Sequence, residues 1–421
     1  MPGSSATLRY DPFDPEGWRD PYPLYERLRE EDPVHHVAGG ARRSDPGAVA
    51  RADGRQGATG ARRGGREFWV LSRFEHVFGA ATDTATYSSA QGLTFEDDEI
   101  AALGLLPTMV MMDRPAHTGY RRLVNRAFTP RQVAGLEPAV RTFVRDRIAH
   151  IAEAGSADWV AEIAGTLPGF VVATFLGVPD SDLGVFSQWS SAIVQANAAG
   201  SVMGAAQAVG DLYRYFTELA RWRRDSPGDD LVSTLVVSDI DGRPVTVEEI
   251  LGFCFVMVAG GNDTATGLLG HTAALLTEFR DERRRLQGDR ALLSGAVEEL
   301  LRFTSPVQGL SRTTTRPVEV DGVPIPQGAK VHLLYGAANR DPREFGPGAD
   351  RLDVTRRVER MLAFGSGPHH CLGAAAARLQ GRVVLEELLA ALPDFVADGS
   401  EGVLAPGPFT RRYDSLPIAA R

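Results

Sequence analysis

One stretch of this chain, from Val247 to about Phe279, limits what the rest can be. Its apolar residues recur at helical spacing and its first half is apolar on nearly all sides, so the helix it predicts runs through a core. It is not a membrane span. The longest apolar stretch, Ile250 to Ala259, is about half of the roughly 20 residues needed to cross a bilayer. The centre of the helix then breaks its own pattern, reading Ala259-Gly260-Gly261-Asn262-Asp263-Thr264. Each Gly costs roughly 1 kcal/mol against Ala inside a helix, and a buried Asp or Thr costs more unless it is hydrogen-bonded. Local preferences contradicted in mid-helix point to a function. A phosphate-binding loop is excluded, because no Gly-Lys-Ser/Thr follows the glycines.

The remainder reads as one domain, residues 1–421, with no Ser/Gly/Pro linker and no repeat of fixed period. With 43% hydrophobic residues the chain can bury a large core, and a large apolar cofactor with it. The net charge of −9 argues against a nucleic-acid partner. Met1 to Asp11 contain no apolar run suited to a signal peptide or membrane anchor, so a cytoplasmic protein is expected. A disulfide between the two cysteines, Cys254 and Cys371, is disfavoured in that compartment. Cys254 sits in an apolar helical run and reads as an inert buried thiol, whereas Cys371 lies in a Gly/His/Pro segment with the marks of a shaped loop.

Pro21 to Leu28 enters a short amphipathic helix. From Ala38 to Arg66 the composition shifts to Gly, Ala and Arg, a stretch that cannot bury enough surface to offset its ordering entropy. It reads as a mobile insertion, 38–66, between strands Val34–Val37 and Phe68–Leu71. Helical spacing then dominates, as in Pro130–Ala154, Asp211–Arg223 and Arg382–Leu392. Val318 to Ile325 predicts a hairpin about Asp321-Gly322, and Ala329 to Leu334 another strand. The expected fold class is mainly α with minor β-sheets.

The segment Phe364-Gly365-Ser366-Gly367-Pro368-His369-His370-Cys371-Leu372-Gly373 precedes a helix beginning Ala374-Ala375-Ala376-Ala377-Arg378. Glycines let its backbone pass close to something flat or bulky, and a thiolate gains from backbone N–H donors and the positive end of the following helix. Zinc is a weak alternative, since adjacent residues rarely converge on one ion and no second ligand pair appears. The segment resembles the haem-binding loop of the cytochrome P-450 family, matching its fixed positions at Phe364, Gly367, His369, Cys371 and Gly373. The resemblance implies the cytochrome P-450 fold, haem b as cofactor, and Cys371 as the axial thiolate on its iron.

Three further segments resemble the family in the same order. Glu299 and Arg302, three apart on a helix, resemble its Glu-x-x-Arg pair, which forms a structural ion network with an arginine such as Arg351. Ala259 to Thr264 resembles the oxygen-binding groove, with Gly260 over the haem and Asp263 and Thr264 as the acid–alcohol pair that manages protons. His117 and Arg121, one helical turn apart, resemble a propionate-binding His-x-x-x-Arg, with Arg312 and His369 as further propionate contacts. Two carboxylates in a partly buried site need such cations to stay ionised.

The activity implied is insertion of one atom of O2 into a hydrophobic small molecule. Electrons would come from NAD(P)H through ferredoxin and ferredoxin reductase, as in soluble bacterial members, with no membrane partner. Two other classes fit the same residues. An H2O2-dependent peroxygenase is disfavoured by Asp263-Thr264, because O2 activation is what needs a proton relay; the other is a non-enzymatic haem sensor. Arg122 and Arg126 are expected to form a basic patch for an acidic ferredoxin, and the Met-rich run Leu105 to Met112 to line an adaptable apolar pocket.

Overall fold

The computed structural model describes residues 8–39, 67–95, 108–125, 128–198 and 205–421. The helices that position the site are α1 (Tyr22–Glu31), α2 (Phe74–Thr82), α3 (Ala116–Asn125), α4 (Glu137–Ala154), α5 (Leu167–Leu176), α6 (Leu183–Ala198), α7 (Ala206–Asp225), α8 (Val247–Glu278), α9 (Leu293–Thr304) and α10 (Ala374–Ala391). The predicted core helix is α8, and α5, α6, α7, α9 and α10 all pack on it. It starts at a reciprocal cap. The Glu249 N–H donates to Thr246 Oγ1 at 3.3 Å and the Thr246 N–H donates to the Glu249 carboxylate at 2.8 Å. It ends where Phe279 leaves helical geometry, at φ −92° and ψ 67°.

The all-round apolarity of α8 is explained by two cores, one against each half. Ile250, Phe253, Cys254 and Val258 pack with Phe186, Ile193, Leu212 and Phe216 of α6 and α7. Leu268, Leu269, Ala273 and Leu276 pack with Val144 and Ile148 of α4, Leu300 of α9, and Val384 and Leu388 of α10. Between these halves burial is less complete. Phe255, Val256, Met257 and Ala259 are half-buried, and Gly260 is exposed, in the middle of a helix otherwise enclosed.

The strands used below are β1 (Val34–Val37), β2 (Phe68–Leu71), β3 (Tyr87–Ser88), β4 (Leu310–Thr314), β5 (Val318–Val320), β6 (Val323–Ile325), β7 (Lys330–Leu333), β8 (Val403–Leu404) and β9 (Tyr413–Ser415). Five of them form one sheet in the order β1-β2-β7-β4-β3, with β2 and β7 parallel and the other pairs antiparallel. The strands expected on either side of the Gly/Arg-rich insertion therefore pair, from Val34 with Leu71 to Val37 with Phe68. Nearly all of that insertion, residues 40–66, lies outside the described residues. The Asp-Gly hairpin forms as expected, with Asp321 at φ 51° and Gly322 at φ 77°, the two positive values that a two-residue turn needs. The helix expected over Pro130–Ala154 is instead two, Pro130–Gly135 and α4, which begins with Pro138 in its first turn. A proline has no N–H to continue the preceding ladder.

Glu299 and Arg302 are both fully buried and face each other with two bonds, Nε to Oε2 at 2.6 Å and Nη2 to Oε1 at 2.7 Å. Arg302 also donates to the carbonyls of Asn339 at 2.6 Å and Ala349 at 2.8 Å. The third member of the network is not Arg351, whose side chain is exposed and which offers only its carbonyl, at 3.4 Å. It is Arg356, whose Nε lies 3.3 Å from Glu299 Oε1 while its other nitrogens bond the carbonyls of Phe345 and Gly348. The turn after Asp353 swings Arg356 inward and leaves Arg351 outside.

Glu299→Gln removes the counter-charge of a guanidinium with no access to water. Breaking one side of such a buried pair costs about 3–5 kcal/mol, which denaturant unfolding of the variant should show. A loss below about 1 kcal/mol, the size of one ordinary hydrogen bond, would mean that the backbone carbonyls alone hold Arg302. A second expectation concerns His332 on β7, fully buried against Ser311 Oγ and the Phe95 ring. Burial lowers its pKa from 6.5 to about 3. The unfolded chain therefore takes up a proton in that window that the folded chain refuses, and stability is lost as pH falls from 6.5 towards 3. His332→Gln should flatten the acid side of the stability curve, and an unchanged slope would assign the acid sensitivity to other groups.

Candidate functional site

The loop Phe364–Gly373 is fixed at several points by its backbone. The Leu362 N–H donates to Asn339 Oδ1 at 2.7 Å, and the Gly365 N–H then donates to the Leu362 carbonyl at 2.9 Å. Gly365 and Gly367 have φ of 66° and 69°, in the region that favours glycine. A Cβ on Gly367 would stand 2.9 Å from the Ala81 carbonyl and 3.1 Å from Thr82 Cα, so the loop is seated directly on the last turn of α2. The Cys371 N–H donates to the Phe364 carbonyl at 2.9 Å, closing the loop just before α10.

Cys371 is free and accessible, yet it lies deep enough that burial pushes its thiol pKa up. The Gly373 N–H, Arg121 and Arg378 act in the opposite sense and favour the thiolate. Arg378 is held by Glu298 through two bonds, at 2.6 and 2.9 Å, and lies over the Phe364 ring, 4.7 Å from its centre. Phe364 itself is half-buried against the larger core.

On α8, Gly260 is exposed, and a Cβ there would meet nothing within 4 Å. Thr264 is half-buried and its hydroxyl donates to the Gly260 carbonyl at 2.8 Å, leaving the hydroxyl oxygen able to accept. This is also the contact a purely structural threonine would make. Asp263 is buried, and its carboxylate accepts from Arg412 Nε. Burial raises its pKa and the charge of Arg412 opposes that rise.

His117, Arg121, Arg312 and His369 come together from α3, β4 and the loop. The His117 and His369 rings are 4.2 Å apart, and His369 is also 3.3 Å from Ser89 Oγ. Arg312 is buried and donates to the carbonyl of Ser311. His369 feels the charges of Arg312 and Arg121, which add to burial in pushing its pKa down to about 3. The nearby carboxylate of Asp113 is already taken by the Ser89 N–H and the Ser88 hydroxyl. Among the described residues no carboxylate pairs with Arg121 or Arg312. Basic groups gathered without counter-charge, beside an accessible thiol, fit a flat ligand that carries two carboxylates and a thiol-seeking metal, and haem is such a ligand.

The structure brings His117, Arg121 and Arg312 to His369, and Arg121 also to Cys371; Phe364 lies on the same loop, while Gly260, Asp263 and Thr264 lie on α8. Arg412 and Arg378 were not expected. Arg378 stands at the head of α10, where its distance from Cys371 could have suggested it. Arg412 is separated from Asp263 by most of the C-terminal half, and no spacing rule reaches that far. Of the Met-rich run, Leu105–Pro107 lie outside the described residues, while Met109 is buried and Met111 and Met112 are half-buried. Arg122 is exposed, and Arg126 lies outside the described residues.

Known proteins resemble this chain. The family described as Cytochrome P450 matches residues 286–392. The chain is 48% identical to cytochrome P450 130 of Mycobacterium tuberculosis, over 96% of both chains. It is 36% identical to the vitamin D(3) 25-hydroxylase of Pseudonocardia autotrophica, over 93% of this chain and 91% of that one. Among solved structures it resembles CYP109E1 from Bacillus megaterium in complex with testosterone, with a TM-score of 0.80 at 27% identity, covering 96% of this chain and 99% of that one. With such identity along almost its whole length, and a mainly helical fold shared with these structures, the chain belongs to the cytochrome P450 family of haem-dependent monooxygenases.

Proposed function

We propose that Cys371 is the axial thiolate ligand of the haem iron, and that the chain hydroxylates or epoxidises a hydrophobic small molecule. The observation that carries the ligand assignment is the accessible, deep thiol at the start of α10, next to basic side chains that lack counter-charges. Haem held there would supply the redox chemistry, in which O2, two protons and two electrons from NAD(P)H give one oxygen atom in the substrate and one water. The protein's own residues do the rest. Arg121 and Arg378 favour the thiolate, and the Gly373 N–H bonds it. His117, Arg121, Arg312 and His369 hold the two propionates. Thr264, its own proton engaged by Gly260, would accept a hydrogen bond on α8, and Asp263 would be the acid that brings protons to it.

Apolar, half-buried side chains support a hydrophobic substrate. Phe255, Val256, Met257 and Ala259 line the less completely buried part of α8, with Met111 and Met112 half-buried before α3. Relatives described as a vitamin D(3) hydroxylase and as a testosterone complex act on or bind compounds of that character, and a terpenoid, steroid or polyketide-like molecule suits the same surface. The electron donor we assign is an acidic ferredoxin, docking where Arg122 is exposed beside Arg121. Among the described residues no helix is long and apolar enough to cross a membrane.

Two variants test this reading. The reduced, CO-bound protein should show the strongly red-shifted Soret band of thiolate ligation, and Cys371→Ser should lose it; a variant that keeps the band rules Cys371 out. Thr264→Ala should bind haem and substrate normally and still consume NAD(P)H, while product per NAD(P)H falls and peroxide rises. Positioned proton transfer is worth about 10²- to 10⁴-fold in rate, so the loss should be large. Unchanged coupling would leave Thr264 as a groove-filling residue only.

A further inference from the structure

The C-terminal strand reaches α8 at one place, and the sequence of α8 makes room for it there. Gly267 is one helical turn after Asp263 and so lies on the same face. A Cβ on Gly267 would stand 2.7 Å from the Arg411 carbonyl and 3.1 Å from Pro306 Cβ, and one on Gly270 would stand 3.3 Å from the Tyr413 ring. These glycines form a notch that seats Arg411–Tyr413. The strand is fixed from outside as well. The Arg411 N–H donates to the Pro306 carbonyl at 2.8 Å, and the Ala405 N–H donates to the Arg412 carbonyl at 2.9 Å. The Arg411 side chain is bound by the carbonyls of Trp18 and Arg19.

Seated in this way, Arg412 has little freedom. It is 5% exposed and Asp263 is 4% exposed, and the two are directly paired. The same guanidinium pairs with Asp414, whose side chain is 42% exposed. One buried cation is therefore shared between a buried carboxylate and one at the surface. Among the described residues the charges bearing on Asp263 are Arg412 and Asp414, both from the C-terminal strand. None comes from α5, α6, α7, α9 or α10, which also pack on α8.

We infer that Arg412, seated by the Gly267 notch, is the positioning residue that orients Asp263 for proton delivery, and that Asp414 competes for it and sets how firmly Asp263 is held. The inference rests on the reading of Asp263 as the delivering acid. It has a sign in each direction. Removing Arg412 takes away the group that opposes the rise caused by burial, so the carboxyl should hold its proton to higher pH. Removing Asp414 leaves Arg412 to Asp263 alone and takes away a neighbouring anion, so the carboxyl should release its proton at lower pH.

The experiment is a difference-infrared pH titration of the purified holoprotein, in which the carboxyl signal missing from Asp263→Asn reports Asp263. The midpoint should rise in Arg412→Gln and fall in Asp414→Asn, each by about one pH unit, a tenfold change in dissociation. Gly267→Ala, which touches neither charge, should move it in the Arg412→Gln direction by displacing the strand. If Arg412→Gln does not fold, the exposed Asp414→Asn carries the test alone, and its midpoint has to fall. Midpoints that stay put, or that move the same way in both variants, overturn the clamp while a slow Asp263→Asn leaves the relay reading intact. Full coupled turnover in Asp263→Asn would instead remove the relay reading and the functional part of this inference with it.

Discussion

The buried guanidinium of Arg302 is the contact on which the site's geometry depends. It is fully enclosed, matched by both oxygens of Glu299, and it gathers the carbonyls of Asn339 and Ala349. Asn339 passes this order on, because its side chain receives the Leu362 N–H while its Nδ2 donates to Ser305. Leu362 in turn anchors Gly365, where the thiol-bearing loop begins. A buried ion pair adds little net stability, since desolvation offsets most of the attraction. Its value here lies in direction: planar groups with fixed donor angles place backbone that has no regular hydrogen-bond ladder of its own.

The electrostatics around Cys371 have a second source, in the way the chain is folded back on itself. Three separate segments bring His117 and Arg121, Arg312 and His369 to one place, and the serines of β3 and its end occupy Asp113 so that it does not neutralise them. Burial and the arginines favour the neutral form of both imidazoles, and a dianionic ligand would offset the charges of Arg121 and Arg312.

Local features were legible in the sequence where the physics is local. The core helix, the Asp-Gly hairpin, the paired strands β1 and β2, and the Gly-rich loop before α10 all follow from periodicity, turn chemistry or glycine placement. The composition at Gly260–Thr264 stands out in a helix interior, where glycine and acid are disfavoured. Contacts set by distant chain segments were not legible. Arg356 replaces Arg351 because of how one turn is shaped, and Arg412 finds Asp263 because two glycines let a strand approach a helix. The split of the 130–154 helix was visible in Pro138, a residue whose missing donor outweighs the continuing apolar period.

The pairing of β1 with β2 has a practical side. Val37 lies opposite Phe68, so the two ends of the intervening segment are held as neighbours by the sheet itself. Once its ends are fixed in this way, the entropy of closing a connection grows only logarithmically with its length, about 0.6 kcal/mol per doubling. Sequence between these strands can therefore be lengthened, shortened or exchanged at small thermodynamic cost, and far from α8 and the thiol loop in the chain. For anyone wishing to attach an affinity handle, a fluorophore or a fused electron donor internally, this hairpin is the natural point of insertion.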